Sequence, residues 1–205
     1  MSALDHLSAA MAHLAQRRLL LISGAVTVAL AAVLFASSGT SSLATVADRC
    51  GQPAPDVRFT TSPEAVESFL AGCGDAGRSA YRDLQLVDLV YPAAFGLVLA
   101  TALALLVPRA LRGASPRWRA LAVVPLVGAA FDYVENLAAW TLLVRYPEPA
   151  AWAARVLGTA SAAKQVTMWA SAVLVLAGLV GAGVAHLRTR RPSSDPPARP
   201  VVNPT

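Results

Sequence analysis

Residues 86–144 read LVDLVYPAAFGLVLATALALLVPRALRGASPRWRALAVVPLVGAAFDYVENLAAWTLLV, and how this stretch divides decides the fold. Two apolar runs, Leu86–Val107 and Leu121–Val144, flank a short segment holding Arg109, Arg112, Arg117 and Arg119. Each run is long enough to cross ~30 Å of hydrocarbon as an α-helix rising ~1.5 Å per residue. Arginine clusters beside such runs mark the cytoplasmic side of a bilayer. The internal prolines, Pro92 and Pro125, are tolerated in membrane helices where neighbouring groups satisfy the carbonyls they free.

The same pattern repeats outward. Leu19–Ala36 is a run without charge directly after Arg17-Arg18, and Ser161–Leu187 contains a fourth apolar run. The expected fold class is therefore all-α: a four-helix transmembrane bundle with spans at 19–36, 86–107, 121–144 and 161–187. A cleavable secretory leader competes for the first run, since Ser37-Ser38-Gly39 follows it. The long leader before the run, and a length beyond the usual ~7–15 residues, favour an uncleaved anchor.

Composition agrees with a lipid solvent. Of 205 residues, 56% are hydrophobic and 14% charged, whereas soluble domains carry roughly 25% charged residues. The net charge of +5 does not point to nucleic acid, because the arginines flank apolar runs rather than form a face. Sixteen of the seventeen basic residues are arginine, and alanine is abundant, a bias expected of a GC-rich bacterial genome.

Arginine counting sets the orientation. The N-terminal segment 1–18, the loop 108–120 and the tail 188–205 carry the dense clusters, the last with Arg188, Arg190, Arg191 and Arg199. They alternate with the loop 37–85 and the short loop 145–160, which holds only Arg145 and Arg155. Both termini are thus expected in the cytoplasm of a bacterial plasma-membrane protein, with an Arg-, Ser- and Pro-rich tail too polar to fold.

Within the first loop, Ser62-Pro63-Glu64 predicts a helix start: Ser as N-cap, Pro in the first turn, Glu favouring the dipole. Val66, Phe69 and Leu70 share one face and Gly72 can end this short amphipathic helix. A second helix is expected to begin near Asp75–Ser79 and run straight into the second span. Cys50 and Cys73 both fall in this loop, and an even count outside the cytoplasm reads as one disulfide. No histidine lies in the segment, so a metal site is not expected there.

Polar groups inside the spans are the candidate site, because an intramembrane ionisable residue is costly unless paired or wet. The second span contributes Asp88 and Tyr91, the third Asp132, Glu135 and Asn136, and the fourth opens with Lys164-Gln165. Asp132, Glu135 and Asn136 are spaced i, i+3, i+4 and share a helical face. Two carboxylates so close cannot both ionise without a cation, and Lys164, the chain's one lysine, lies at a suitable depth. All six groups are expected to converge on a polar cavity in the outer half of the bundle. The alternatives are architectural: Lys164 snorkelling to an interface, Asp88 near the surface, or an internal ion pair joining helices.

The order of Ser-Pro-Glu, Gly77-Arg78-Ser79-Ala80, Leu86-Val87-Asp88, Phe131-Asp132-Tyr133-Val134-Glu135-Asn136 and Lys164-Gln165 resembles a group of small bacterial, actinobacterial-like integral membrane proteins over about residues 60–180. That group has no assigned activity, so the resemblance implies boundaries and the same polar residues but no mechanism. The first span lies outside it.

No P-loop, nucleophile elbow, HExxH or Rossmann glycine pattern occurs, and no cofactor is expected. The lipid bilayer is the partner composition demands. The leading functional expectation is a non-enzymatic membrane protein, either an envelope structural component or a binder of a lipid or small molecule in the outer cavity. A membrane acid/base enzyme acting on a lipid or isoprenoid is the alternative, and a small proton-coupled transporter is third. Gly96, Ala100 and Ala104, and again Ala177, Gly181 and Ala185, recur at every fourth residue. Such stripes permit close helix contact and self-association.

Overall fold

The structure, a computed structural model, describes residues 3–36, 38–111 and 116–189. Its helices are α1 (Ala3–Ala31, continuing as a π-helical turn over Ala32–Ala36), α2 (Leu43–Cys50), α3 (Pro63–Gly72), α4 (Gly74–Val87), α5 (Tyr91–Ala110), α6 (Val124–Arg145) and α7 (Ala151–Thr189). Short 3-10 turns occupy Pro55–Val57 and Pro116–Val123, and there is no strand among the described residues. Four helical stretches are long and apolar enough to cross a membrane: Gln16–Ala36, Gly74–Ala110, Arg117–Arg145 and Ala151–Arg188. The chain has the make-up of a multi-pass membrane protein. Arg112, Arg190, Arg191, Arg199 and the tail expected to be disordered lie outside the described residues, apart from Arg188-Thr189 at the end of α7.

α5, α6 and α7 pack on one another, while α1 packs along α5 and barely meets α7. Small residues set these distances. A Cβ on Gly96 would lie 3.1 Å from Ala129 Cβ, and one on Gly181 would lie 2.8 Å from Ala110 Cβ. Both stripes read from the sequence therefore carry residues packed against helices of the same chain.

Two helix boundaries differ from the expected ones. The last helix starts at Ala151 rather than 161, and its 39 residues make it about 58 Å long, nearly twice the thickness of the hydrocarbon. Its first turns bury Ala153, Ala154, Leu157 and Ala160; alanine-rich sequence is good helix, and tertiary contact rather than lipid covers it. The second difference is a break: α4 does not run into α5 but ends at Val87, and Asp88–Val90 form a turn. Pro92, lacking an N–H, cannot serve the Asp88 carbonyl four residues back.

The loop 37–85 holds α2 in addition to the two helices expected there, α3 and the start of α4, and the three form a cap with its own core. Val46 of α2, Phe69 and Leu70 of α3, and Tyr81 and Leu84 of α4 bury against Ala139 and Leu142 of α6 and Leu157 of α7. The Phe69 and Tyr81 rings meet edge to face, centroids 5.2 Å apart. Local chemistry sets the ends of these helices: Ser42 Oγ accepts from Thr45 N–H and Ser62 Oγ from Ala65 N–H, each satisfying a donor the first helical turn leaves free. Gly51, at φ 69°, closes α2 in the left-handed conformation.

The sulfurs of Cys50 and Cys73 lie 2.06 Å apart, at bonding distance, and join the end of α2 to the α3–α4 corner across 23 residues. A cross-link of that length stabilises by ~3 kcal/mol in the chain-entropy model. Cys50→Ser should therefore lower the unfolding midpoint measurably. Maleimide should label neither thiol in unreduced, denatured protein and both after reduction; two labels without reductant would refute the bridge.

Candidate functional site

The break between α4 and α5 leaves the Asp88 carbonyl without its helical donor at a half-buried position, where an unpaired acceptor is costly, and turns the Leu89 carbonyl toward the surface of α6. α6 supplies both donors from one face. Asn136 Nδ2 donates to the Asp88 carbonyl at 3.1 Å, replacing the N–H that Pro92 lacks, and Tyr133 Oη donates to the Leu89 carbonyl at 2.9 Å. Asn136 is thus occupied in holding the break, and it is 1% exposed. Asn136→Leu strips the Asp88 carbonyl of its partner, and we expect a loss of ~1–3 kcal/mol. Thermal unfolding in detergent checks it; an unchanged midpoint would mean that the break needs no cap.

The same helix carries the charges. Glu135 is fully buried, and its two oxygens are taken by Ser161 Oγ and Lys164 Nζ, one turn apart on α7. Lys164 Nζ also lies 3.4 Å from Asp132 Oδ1 and 3.4 Å from the backbone carbonyl of Asp56. Three acceptors match the three donors of an ammonium. Lys164 does not snorkel: its side chain is 16% exposed and points into this nest.

Asp56 reaches the cluster from the 3-10 turn over Pro55–Val57, which folds back onto the bundle. Its Oδ2 accepts from Gln85 Nε2 at 2.6 Å, and the next turn is pinned by Gln165 Nε2 donating to the Arg58 carbonyl at 2.7 Å. Burial pushes the Asp56 carboxyl above the ordinary aspartate value, opposed by the Lys164 ammonium and the hydrogen bond from Gln85. The Tyr81 hydroxyl also faces this carboxyl, and Asp56 Oδ1 has no well-aligned donor.

Above this floor lies a cavity of about 340 Å³ between α1, α5 and α7. Asp56, Asp88, Asp132 and Lys164 form its polar end. Its walls are Leu34, Phe35, Tyr91, Phe95, Met168 and Trp169, among other apolar side chains. The Tyr91 ring stacks on Phe95 with centroids 5.7 Å apart and meets Phe35 edge-on at 6.2 Å. Leu34 and Phe35 belong to the π-helical turn that ends α1; such turns re-aim side chains and are frequent at functional sites. Phe35 and Trp169, 62% and 71% exposed, stand at the mouth.

Of the residues singled out from sequence, Asp88, Tyr91, Asp132 and Lys164 line the cavity; Glu135 sits behind it and Asn136 beside it. Asp56, Gln85, Ser161 and Tyr81 belong to the same polar cluster and were not singled out. Ser161 is three residues before Lys164 and Gln85 three before Asp88, so helical spacing could have found both. Asp56, between Pro55 and Val57 in a polar loop, carries no signal of its depth.

Comparison with family models, with characterised proteins and with solved structures finds no match. Function therefore has to be argued from the site.

Proposed function

We propose that this multi-pass protein resides in a bacterial plasma membrane, its termini cytoplasmic, and binds a lipid or other amphiphile in the cavity between α1, α5 and α7. The carrying observation is the lining of that cavity, four charged side chains beside a larger set of apolar and aromatic ones, which would suit a head group and a chain. Its mouth favours entry from the bilayer, since α1 and α7, which flank it, hardly touch and present Val28, Val173 and Leu176 outward. The arginine clusters support the orientation, which puts the capped, charged end in the outer half of the membrane.

The test is extraction of the purified protein followed by lipid mass spectrometry. Wild-type protein should retain about one amphiphile per chain through exchange into lipid-free detergent, and Ala172→Trp, which places a ring in the cavity wall, should lose it. Equal lipid content in both proteins would sink the reading. The acid/base alternative rests on Asp132, the carboxyl that both lines the cavity and touches Lys164; Glu135 is already held at both oxygens and cannot reach a substrate.

A further inference from the structure

The charge of the cavity wall narrows the ligand. Three carboxylates, Asp56, Asp88 and Asp132, line the cavity against one ammonium, Lys164. That ammonium is already neutralised by Glu135 from behind, so the wall carries an acidic surplus. Asp56 and Asp132 are 6% and 7% exposed, and acid groups so placed depend on a partner rather than on water for compensation. Asp56, 6% exposed on the cavity's edge, is held at Oδ2 by Gln85, while its Oδ1 lacks a well-aligned donor beside the Tyr81 hydroxyl. Around the cavity, acid groups outnumber the single ammonium.

The remaining wall is aromatic. Tyr91, Phe95, Phe35 and Trp169 surround the apolar part beside the carboxylates, and aromatic faces attract ammonium groups as well as hydrocarbon. A metal ion is a poorer fit: among the described residues no three His, Cys, Asp or Glu side chains are placed to hold one. Carboxylates spread along a wall suit an organic cation carrying several N–H donors.

We propose that the ligand is an amphiphile with a cationic amine head group, its nitrogen held between Asp88 and Asp132 with Asp56 beyond, its chain lying along the aromatic wall. This rests on the amphiphile reading of the cavity.

The experiment uses native mass spectrometry of the full chain in neutral maltoside micelles at pH 7. Dodecylamine, dodecanol and dodecanoate are added at equal mole fraction in the micelle. The amine should be retained about tenfold more than either competitor. Dodecanol or dodecanoate binding as well as the amine overturns the head-group inference while leaving the amphiphile reading intact; retention of none of the three overturns both. Asp88→Asn and Asp132→Asn should erase the preference for amine, and an unchanged preference in a folded variant removes these carboxylates from the site. Helical circular dichroism establishes folding. If Asp132→Asn does not fold, the wild-type comparison and Asp88→Asn, at a half-buried position, decide. Ala172→Trp should lose the amine adduct, and its retention there would place the amine elsewhere on the protein.

Discussion

Lys164→Met should be the most damaging single substitution in the bundle. It leaves Glu135, fully buried, and Asp132, 7% exposed, without the cation that joins them to α7. Breaking a buried pair by removing one partner costs ~3–5 kcal/mol, most of it the burden of the charge left behind. That is a large share of the ~5–15 kcal/mol that holds a typical domain. The loss should show as a much lower unfolding midpoint and poor recovery from membranes. Adding Glu135→Gln removes the stranded charge, so the double variant should regain at least half of the lost midpoint shift. If the two changes simply add, the pairing account is wrong and Lys164 acts by packing alone.

Gly158→Ala should be nearly as costly, although it adds a single methyl. A Cβ there would sit 2.4 Å from the Thr61 carbonyl oxygen and 3.2 Å from the Thr61 nitrogen. Both are backbone atoms of the segment that leads into α3, so no flexible side chain can yield. Overpacking costs typically ~1–3 kcal/mol, occasionally more, and relief here means lifting the segment off α7. The lifted stretch carries Asp56 and Arg58 away from Gln85, Lys164 and Gln165. Hydrogen exchange should therefore rise over residues 55–61 along with the lower midpoint. Unchanged exchange in that stretch would show that the contact is not as close as described.

The spans were legible because their lengths and lack of charge leave few alternatives to membrane helices. The i, i+3, i+4 spacing puts Asp132, Glu135 and Asn136 on one face, and the chain's one lysine was the natural candidate to meet them, with snorkelling as the competing reading. What escaped was tertiary. Ala151–Ala160 reads as a loop by arginine counting but forms helix because the cap covers Ala153, Ala154 and Leu157. The break at Asp88–Val90 becomes visible only when Asn136 and Tyr133 are seen at its carbonyls. Asp56 carries no signal in the sequence because its partners Gln85 and Lys164 are 29 and 108 residues away. Asn136, grouped with the charged residues by spacing, is taken up by the backbone of α5's approach instead.

The central claim is that the cavity between α1 and α7 is a binding site for a bilayer amphiphile. An experimental map of the protein in lipid nanodiscs, with a bound antibody fragment to aid alignment, tests it most directly. The account predicts an elongated density along Phe95, Met168 and Trp169 with its polar end at Asp88 and Asp132. A well-ordered map in which α1 closes onto α7 and leaves no such density would contradict it.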